Sequence, residues 1–255
     1  MVIYMNIIQM LNYNDLQWAT IIFTALLVGF SKTGIGGTIM LVIPFLATVF
    51  GGKDSTGILL PMLLAGDIFA IWYYRRSVQW QNVFKPLPWA LIGLTLGVIV
   101  GKYISDKTFV TLIGIIVLLC LGILVYTEKK GKDFTVPNDA WFYILVGILS
   151  GFASMIGNAA GPIFSIYLLA LGFKKNNYMG TNAWFFFIIN LTKLPLQIFV
   201  WNNIGISSFT TTIVMIPVIT VGAALGFFVI KKINDKYFRY IVIAMTAISA
   251  IRLFI

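Results

Sequence analysis

Two glycine-rich interruptions, each set inside an apolar run, constrain this chain more than any other feature. The first reads Gly29-Phe30-Ser31-Lys32-Thr33-Gly34-Ile35-Gly36-Gly37-Thr38. The second reads Gly151-Phe152-Ala153-Ser154-Met155-Ile156-Gly157-Asn158-Ala159-Ala160-Gly161. A helix broken inside a bilayer leaves backbone N–H and C=O groups without intrahelical partners. Such backbone is tolerated only where protein buries it or where it lines a cavity. A matched pair of breaks in two halves of a chain is the pattern of a transporter binding site.

The surroundings of the breaks establish that a membrane is involved. The 255 residues are 60% hydrophobic and 10% charged, against about 25% charged in soluble domains. The length therefore supplies roughly eight to ten membrane segments, with no polar insert long enough for a soluble enzymatic domain. The net charge of +10 reads as basic cytoplasmic loops, and nucleic acid is not an expected partner. The single cysteine, Cys120, lies in an apolar run and has no intrachain partner for a disulfide. The chain has no histidine, so the commonest metal ligand and near-neutral proton carrier is missing. Residues 1–18 have no basic n-region and no small-residue cleavage site, and read as a lead-in to the first helix.

Apolar segments are expected over residues 16–31, 35–50, 56–74, 86–104 and 108–126, and again over 140–156, 159–172, 178–200, 207–230 and 236–254. The segments 35–50 and 159–172 are short against the roughly 20 residues needed to span, and read as re-entrant or broken helices. The two sets look like copies. Gly29-Phe30 matches Gly151-Phe152, Gly57 falls on Gly180, and Asp67 falls on Asn190. Gly97 and Gly101 fall on Gly222 and Gly226, and Ile104 to Phe109 matches Ile233 to Phe238.

Five segments per set is an odd number, so the second set enters from the opposite side. Charge supports this. Alternate loops on one side carry Lys32, Arg75, Arg76, Lys85, Lys129, Lys130, Lys132, Lys174, Lys175, Lys231, Lys232 and Lys236. The other side carries Lys53, Lys102, Lys107 and Arg252. The positive-inside rule then puts both termini outside. The expected fold is all-α and polytopic, with two inverted repeats of about five segments each. Residues 1–127 form the first repeat, 128–139 a cytoplasmic linker and 140–255 the second repeat. The glycines at four-residue spacing, Gly93, Gly97 and Gly101, Gly147 and Gly151, and Gly222 and Gly226, read as close helix packing within one protomer, ahead of a homodimer interface.

Few side chains inside these segments can carry chemistry. Asp67 is the one acidic residue within a membrane segment, and Lys193 the clearest embedded base. Intramembrane charges usually face a partner or a water-filled path. Asp67 would carry a proton, orient a base that meets the substrate, or simply form an internal ion pair. Its repeat counterpart Asn190 stands three residues before Lys193. Lys193 would bind an anion, pair with Asp67, or snorkel toward headgroups. Lys32, inside the first break, is either part of an anion site made with backbone N–H groups or an ordinary cytoplasmic-end charge. Thr33, Thr38, Asn158, Thr181 and Asn182 offer neutral hydrogen bonds near the breaks, to a ligand or between helices. Tyr73, Tyr74, Arg75, Arg76 and Trp80 read as an interfacial belt, and Arg239 as a charge near a helix end. No nucleophile–base arrangement, CxxC pair or nucleotide-binding loop is present. The expectation is a transporter, not an enzyme, with no cofactor and no metal, running on an ion gradient or passively.

At these residues the chain resembles the TauE/SafE family of sulfite and organosulfonate exporters. The resemblance rests on Gly34-Ile35-Gly36-Gly37 followed by Val42-Ile43-Pro44, on Gly157-Asn158-Ala159-Ala160-Gly161-Pro162, on Gly180-Thr181-Asn182-Ala183-Trp184, and on Pro61 to Asp67. It implies export of a small sulfur-containing anion across the cytoplasmic membrane by a multi-pass protein. The second motif departs from the family's poly-glycine form at Asn158, Ala159 and Ala160, which leaves the substrate anion open. The candidate substrate-binding set is Lys32, Thr33, Gly34, Gly36, Gly37, Thr38, Gly157, Asn158, Ala159, Gly161, Thr181, Asn182 and Lys193, with Asp67 and Asn190 as coupling residues. Expected partners are the anion, the lipid bilayer and a coupling proton. An anion channel, or a carrier of a cation or another solute held by Asp67, would use the same residues.

Overall fold

The computed structural model describes residues 11–36, 38–105 and 140–234, together with 107, 108, 111, 115, 237, 238, 240, 241 and 244. All regular structure among them is helical. In chain order these are α1 (Asp15–Thr33), a 3-10 turn (Thr38–Leu41), α2 (Val42–Phe50), α3 (Gly52–Tyr74), α4 (Trp80–Phe84), α5 (Leu87–Tyr103), α6 (Ala140–Gly157), α7 (Gly161–Ala170), α8 (Lys175–Phe199) and α9 (Ile206–Lys232). Eight of the ten expected segments coincide with these helices within a few residues. Segments 108–126 and 236–254 and the linker 128–139 fall mostly outside the described residues, as do Gly37, Cys120, Arg239 and Arg252.

Local chemistry sets the helix ends. The Asn14 side chain accepts from the Gln17 amide at 2.9 Å, and Gln17 reaches back to the Asn14 amide at 3.0 Å. This capping box starts α1 by satisfying two otherwise orphaned donors. Pro162 sits in the first turn of α7, where the missing N–H costs nothing. Gly51 at φ 88° turns α2 into α3, and Gly172 at φ 71° follows α7. Both adopt backbone that a side chain would disfavour.

Among the described residues, five helical stretches are long and apolar enough to cross a membrane: α1, α3, Trp80–Tyr103, α6 and α9. The structure is a polytopic all-α bundle. At 25 residues, α8 has the length of a span but not the apolar composition. Its Thr181, Asn190, Lys193 and Gln197 are all buried. These polar residues lie on the face turned to the protein interior, while Leu191 and Phe199 on the other face are exposed. The 10 residues of α7 and the 9 of α2 give rods of only about 15 Å at 1.5 Å per residue, short of a roughly 30 Å hydrocarbon core.

Two glycine-mediated contacts organise the bundle. In one, α1 packs on α9: a Cβ on Gly29 would stand 2.0 Å from the Ile219 carbonyl oxygen, and one on Gly222 would stand 2.1 Å from that of Leu26. In the other, α6 packs on α5: a Cβ on Gly151 would stand 1.8 Å from the Ala90 carbonyl oxygen, and one on Gly93 would stand 2.0 Å from that of Ile148. Backbones this close exclude any side chain at those positions. Helix association in lipid relies on such packing, because apolar burial gains little there. Ile21, Val28, Met62 and Ile219 form one apolar cluster, and Leu94, Met155, Phe164 and Phe185 belong to another. Phe164 and Phe185 stack at a ring separation of 3.8 Å.

Candidate functional site

Both glycine-rich breaks arrive at one small cavity. The first follows α1. Gly34 caps that helix, its N–H returning to the Phe30 carbonyl at 2.9 Å. Thr33 donates its hydroxyl to the carbonyls of Gly29 (3.0 Å) and Ala223 (2.8 Å), while the Tyr74 hydroxyl donates to the Thr33 carbonyl at 2.7 Å. The carbonyl freed by the break is thus satisfied inside the protein, as buried backbone requires.

The second break follows α6. Asn158 lies at φ 54°, a left-handed conformation that asparagine tolerates better than most residues. Its N–H reaches the Ser154 carbonyl at 3.1 Å, and that of Ala159 reaches the Ala153 carbonyl at 3.1 Å. The chain then enters α7 at Gly161-Pro162.

The cavity has a volume of about 40 Å³. A single water takes roughly 10–15 Å³ on this measure, so the space suits a ligand of a few heavy atoms. Ser31, Lys32, Gly36, Ser154, Asn158, Gly161, Ser165, Tyr178, Asn182 and Asn190 supply its polar wall, and Ile39, Leu63 and Phe186 its apolar edge.

Two linked charge systems stand around it. Lys32, at the end of α1, forms an ion pair with Asp67 of α3 at 2.6 Å. Asn190 of α8 donates its amide to the other Asp67 oxygen at 2.7 Å. Asp67 is wholly buried. The Lys32 ammonium also lies 5.1 Å from the Phe186 ring centre, a cation–π distance. Lys193, also wholly buried, donates to the Ser154 hydroxyl at 3.3 Å and to the Asn158 side-chain oxygen. With that oxygen committed to Lys193, the Asn158 amide nitrogen is left buried and without a partner. At the far wall, Ser165 donates to the Gly161 carbonyl at 2.7 Å and shares a hydrogen bond with the Tyr178 hydroxyl.

The sequence-derived candidates separate into three groups. Lys32, Gly36, Asn158, Gly161, Asn182 and Asn190 line the cavity, and Asp67 and Lys193 bond to lining residues from behind. Thr33, Gly34, Thr38, Gly157, Ala159 and Thr181 are not in the lining. Thr33 is spent on carbonyls, Thr38 donates to Ile35 at 3.0 Å, and Thr181 accepts from the Gln79 amide at 3.0 Å. Gly34 instead receives α9: a Cβ there would stand 2.7 Å from the Gly226 Cα. Gly37 lies outside the described residues. Sequence reasoning missed Ser31, Ser154, Ser165, Tyr178 and Phe186. Four-residue spacing along α8, through 178, 182, 186 and 190, places Tyr178 and Phe186 on one face with the two asparagines.

Among the described residues no three of His, Cys, Asp and Glu cluster as a metal site would need. The arrangement offers instead buried lysine side chains and N–H and O–H donors around a small space. That chemistry suits an oxyanion.

No curated protein and no solved structure matches the chain. The family model for the sulfite exporter TauE/SafE family matches residues 21–253. With both breaks, the buried lysines and the helical bundle in place, the chain belongs to the TauE/SafE sulfite exporter family of membrane proteins.

Proposed function

We propose that this protein exports a small sulfur oxyanion across the cell membrane, binding it in the cavity between the two breaks. The observation that carries this reading is the Lys193–Asn158 contact. A buried ammonium holds the amide oxygen, and the amide nitrogen is left unpartnered beside a cavity that Lys32 also lines. An unmet buried donor costs roughly 1–3 kcal/mol, and an anion would meet it. Lys32, Ser154 and Tyr178 would supply further donors.

Alternating access by two inverted repeats is the proposed mechanism, and the glycine contacts support it. Gly29 meets α9 at Ile219 and Ala223, while Gly151 meets α5 at Ala90 and Leu94. Leu26 meets Gly222, while Ile148 meets Gly93. From the first contact to the second, α1 maps onto α6 with a step of 122 residues (29 to 151, 26 to 148). In the same comparison α5 maps onto α9 with a step of 129 (90 to 219, 93 to 222). A pseudo-two-fold relation between the halves accounts for both steps. In this register Gly93 and Gly97, not Gly97 and Gly101, correspond to Gly222 and Gly226. Thr33 and Met155 fit the same steps, since they approach Gly226 and Gly97.

Asp67 and Asn190 are the proposed coupling pair, because their 2.7 Å bond joins a helix of one half to a helix of the other. The small cavity favours a carrier over a continuous pore. Sulfite flux into proteoliposomes under an imposed ion gradient tests the reading. Saturable flux that Asn158→Leu abolishes would support it, and unchanged flux in that variant would remove Asn158 from the site.

A further inference from the structure

We infer that the substrate's outer route runs from the cavity along the rest of α8 past Gln197, and that Asn203 latches this route shut in the present conformation. This rests on the anion-carrier reading above and adds the path beyond the binding cavity. On α8 the cavity is lined by Tyr178, Asn182, Phe186 and Asn190, and the lining ends there. The polar face does not. Spacings of three and seven residues from Asn190 put Lys193 and Gln197 on the same stripe, and both are wholly buried. Lys193 is held by Ser154 and Asn158. Neither side-chain atom of Gln197 has a partner. The stripe thus continues about two turns past the open space and ends on an amide enclosed without hydrogen bonds. Buried polar atoms are almost always paired, and polar groups inside membrane segments mark substrate paths. An unpaired amide on this stripe is therefore the mark of a path closed in this state.

The positive-inside reading puts the Phe199 end of α8 outward. There the loop after α8 folds onto the start of α3. The Asn203 side chain donates to the Lys53 carbonyl at 2.7 Å and to the Thr56 hydroxyl at 3.0 Å, and its backbone N–H returns to the Gln197 carbonyl at 3.2 Å. A Cβ on Gly57 would stand 1.9 Å from the Asn203 carbonyl oxygen. Gly180, the repeat counterpart of Gly57 at the inner end, is approached less closely: a Cβ there would stand 2.9 Å from the Tyr74 carbonyl oxygen. The closer seal therefore lies on the outer side, away from the end of α8 that lines the cavity. Alternating access requires that seal to release. Release would uncover Gln197, whose amide can donate to a passing oxyanion.

Cysteine labelling in intact cells tests this with no anion added. In a Cys120→Ser background, which removes the one native cysteine, Gln197→Cys should react with a membrane-impermeant maleimide supplied outside. Adding Asn203→Ala should raise that rate at least about threefold, because the closed form loses its latch. Thr56→Val withdraws one of the same bonds and serves if Asn203→Ala does not fold. In proteoliposomes Gln197→Leu should slow sulfite flux several-fold, with equilibrium sulfite affinity unchanged and a melting temperature no lower than native. No labelling of Gln197→Cys in any of these backgrounds, or native flux in Gln197→Leu, would overturn the route and leave the cavity as the binding site. Labelling that neither Asn203→Ala nor Thr56→Val accelerates would overturn the latch. Folded protein that labels as expected, yet neither binds nor carries sulfite, would overturn the anion reading and keep the outer opening.

Discussion

Replacing Lys193 with methionine should separate stability from function, because the two effects have opposite signs. The ammonium is fully buried and meets two neutral acceptors. Losing those hydrogen bonds leaves Ser154 and Asn158 short of a partner, at about 1–3 kcal/mol for a buried group. Against this, a wholly buried amine held only by neutral acceptors is replaced by an apolar side chain, and methionine fills nearly the same volume. Replacing buried charge with well-packed apolar groups is often neutral or stabilising by roughly 1–4 kcal/mol. The net change in folding stability should therefore be near zero or favourable. Anion affinity should fall steeply. A unit charge pair about 5 Å apart at an effective dielectric of about 20 is worth about 3 kcal/mol, or roughly two orders of magnitude in binding. Thermal unfolding in detergent measures the first effect and titration with sulfite the second. Binding unchanged in Lys193→Met would refute the assignment of Lys193 as the cation that attracts the anion. A large loss of stability with no separate effect on affinity would make it a purely structural residue.

Four further outcomes follow from the packing and the buried polar contacts. Gly29→Ala places a methyl 2.0 Å from the Ile219 carbonyl oxygen and should destabilise the α1–α9 contact by about 1–3 kcal/mol or more. Gly205→Ala, with its nearest atom at 3.9 Å, should lower the melting temperature far less than Gly29→Ala, by no more than the small N-cap preference of glycine over alanine. Tyr74→Phe withdraws the 2.7 Å hydrogen bond from the Thr33 carbonyl, and should cost about 1–3 kcal/mol in thermal or denaturant unfolding. Asp67→Leu alone strands Lys32 and should cost about 3–5 kcal/mol, whereas the double change with Lys32→Met should recover most of that loss. A double variant no better than the single would show that the ion pair is not what Asp67 contributes.

Much of this architecture was legible in the sequence, for a physical reason. Apolar length sets helix length in a bilayer, so α1, α3, α5, α6 and α9 could be read nearly to their ends. Asp67, Lys193 and Asn190 stood out because polar groups are rare in such segments, and the structure brings all three to one site. Partnership among them was not legible. Lys193 was open to pairing with Asp67, yet Lys32 takes Asp67 and Lys193 takes Asn158. That choice depends on how the ends of α1 and α6 meet α3 and α8, which no local pattern encodes. The same holds for hydroxyls that looked available. Thr33 reaches a carbonyl 190 residues away and Thr181 an amide 102 residues away, and both are spent on holding helices together. Tyr178 and Phe186 were not singled out, although their spacing with Asn182 and Asn190 carried the signal.

Counterflow of radiolabelled sulfite in proteoliposomes tests the central claim most directly. A carrier that exposes one site alternately to each side returns fastest when both faces are loaded. Unlabelled sulfite inside the vesicles should therefore accelerate entry of labelled sulfite several-fold and drive its transient accumulation, and Lys193→Met should abolish that response. Labelled entry that is indifferent to sulfite on the opposite face, or that persists in Lys193→Met, would contradict an alternating-access anion carrier built on this cavity.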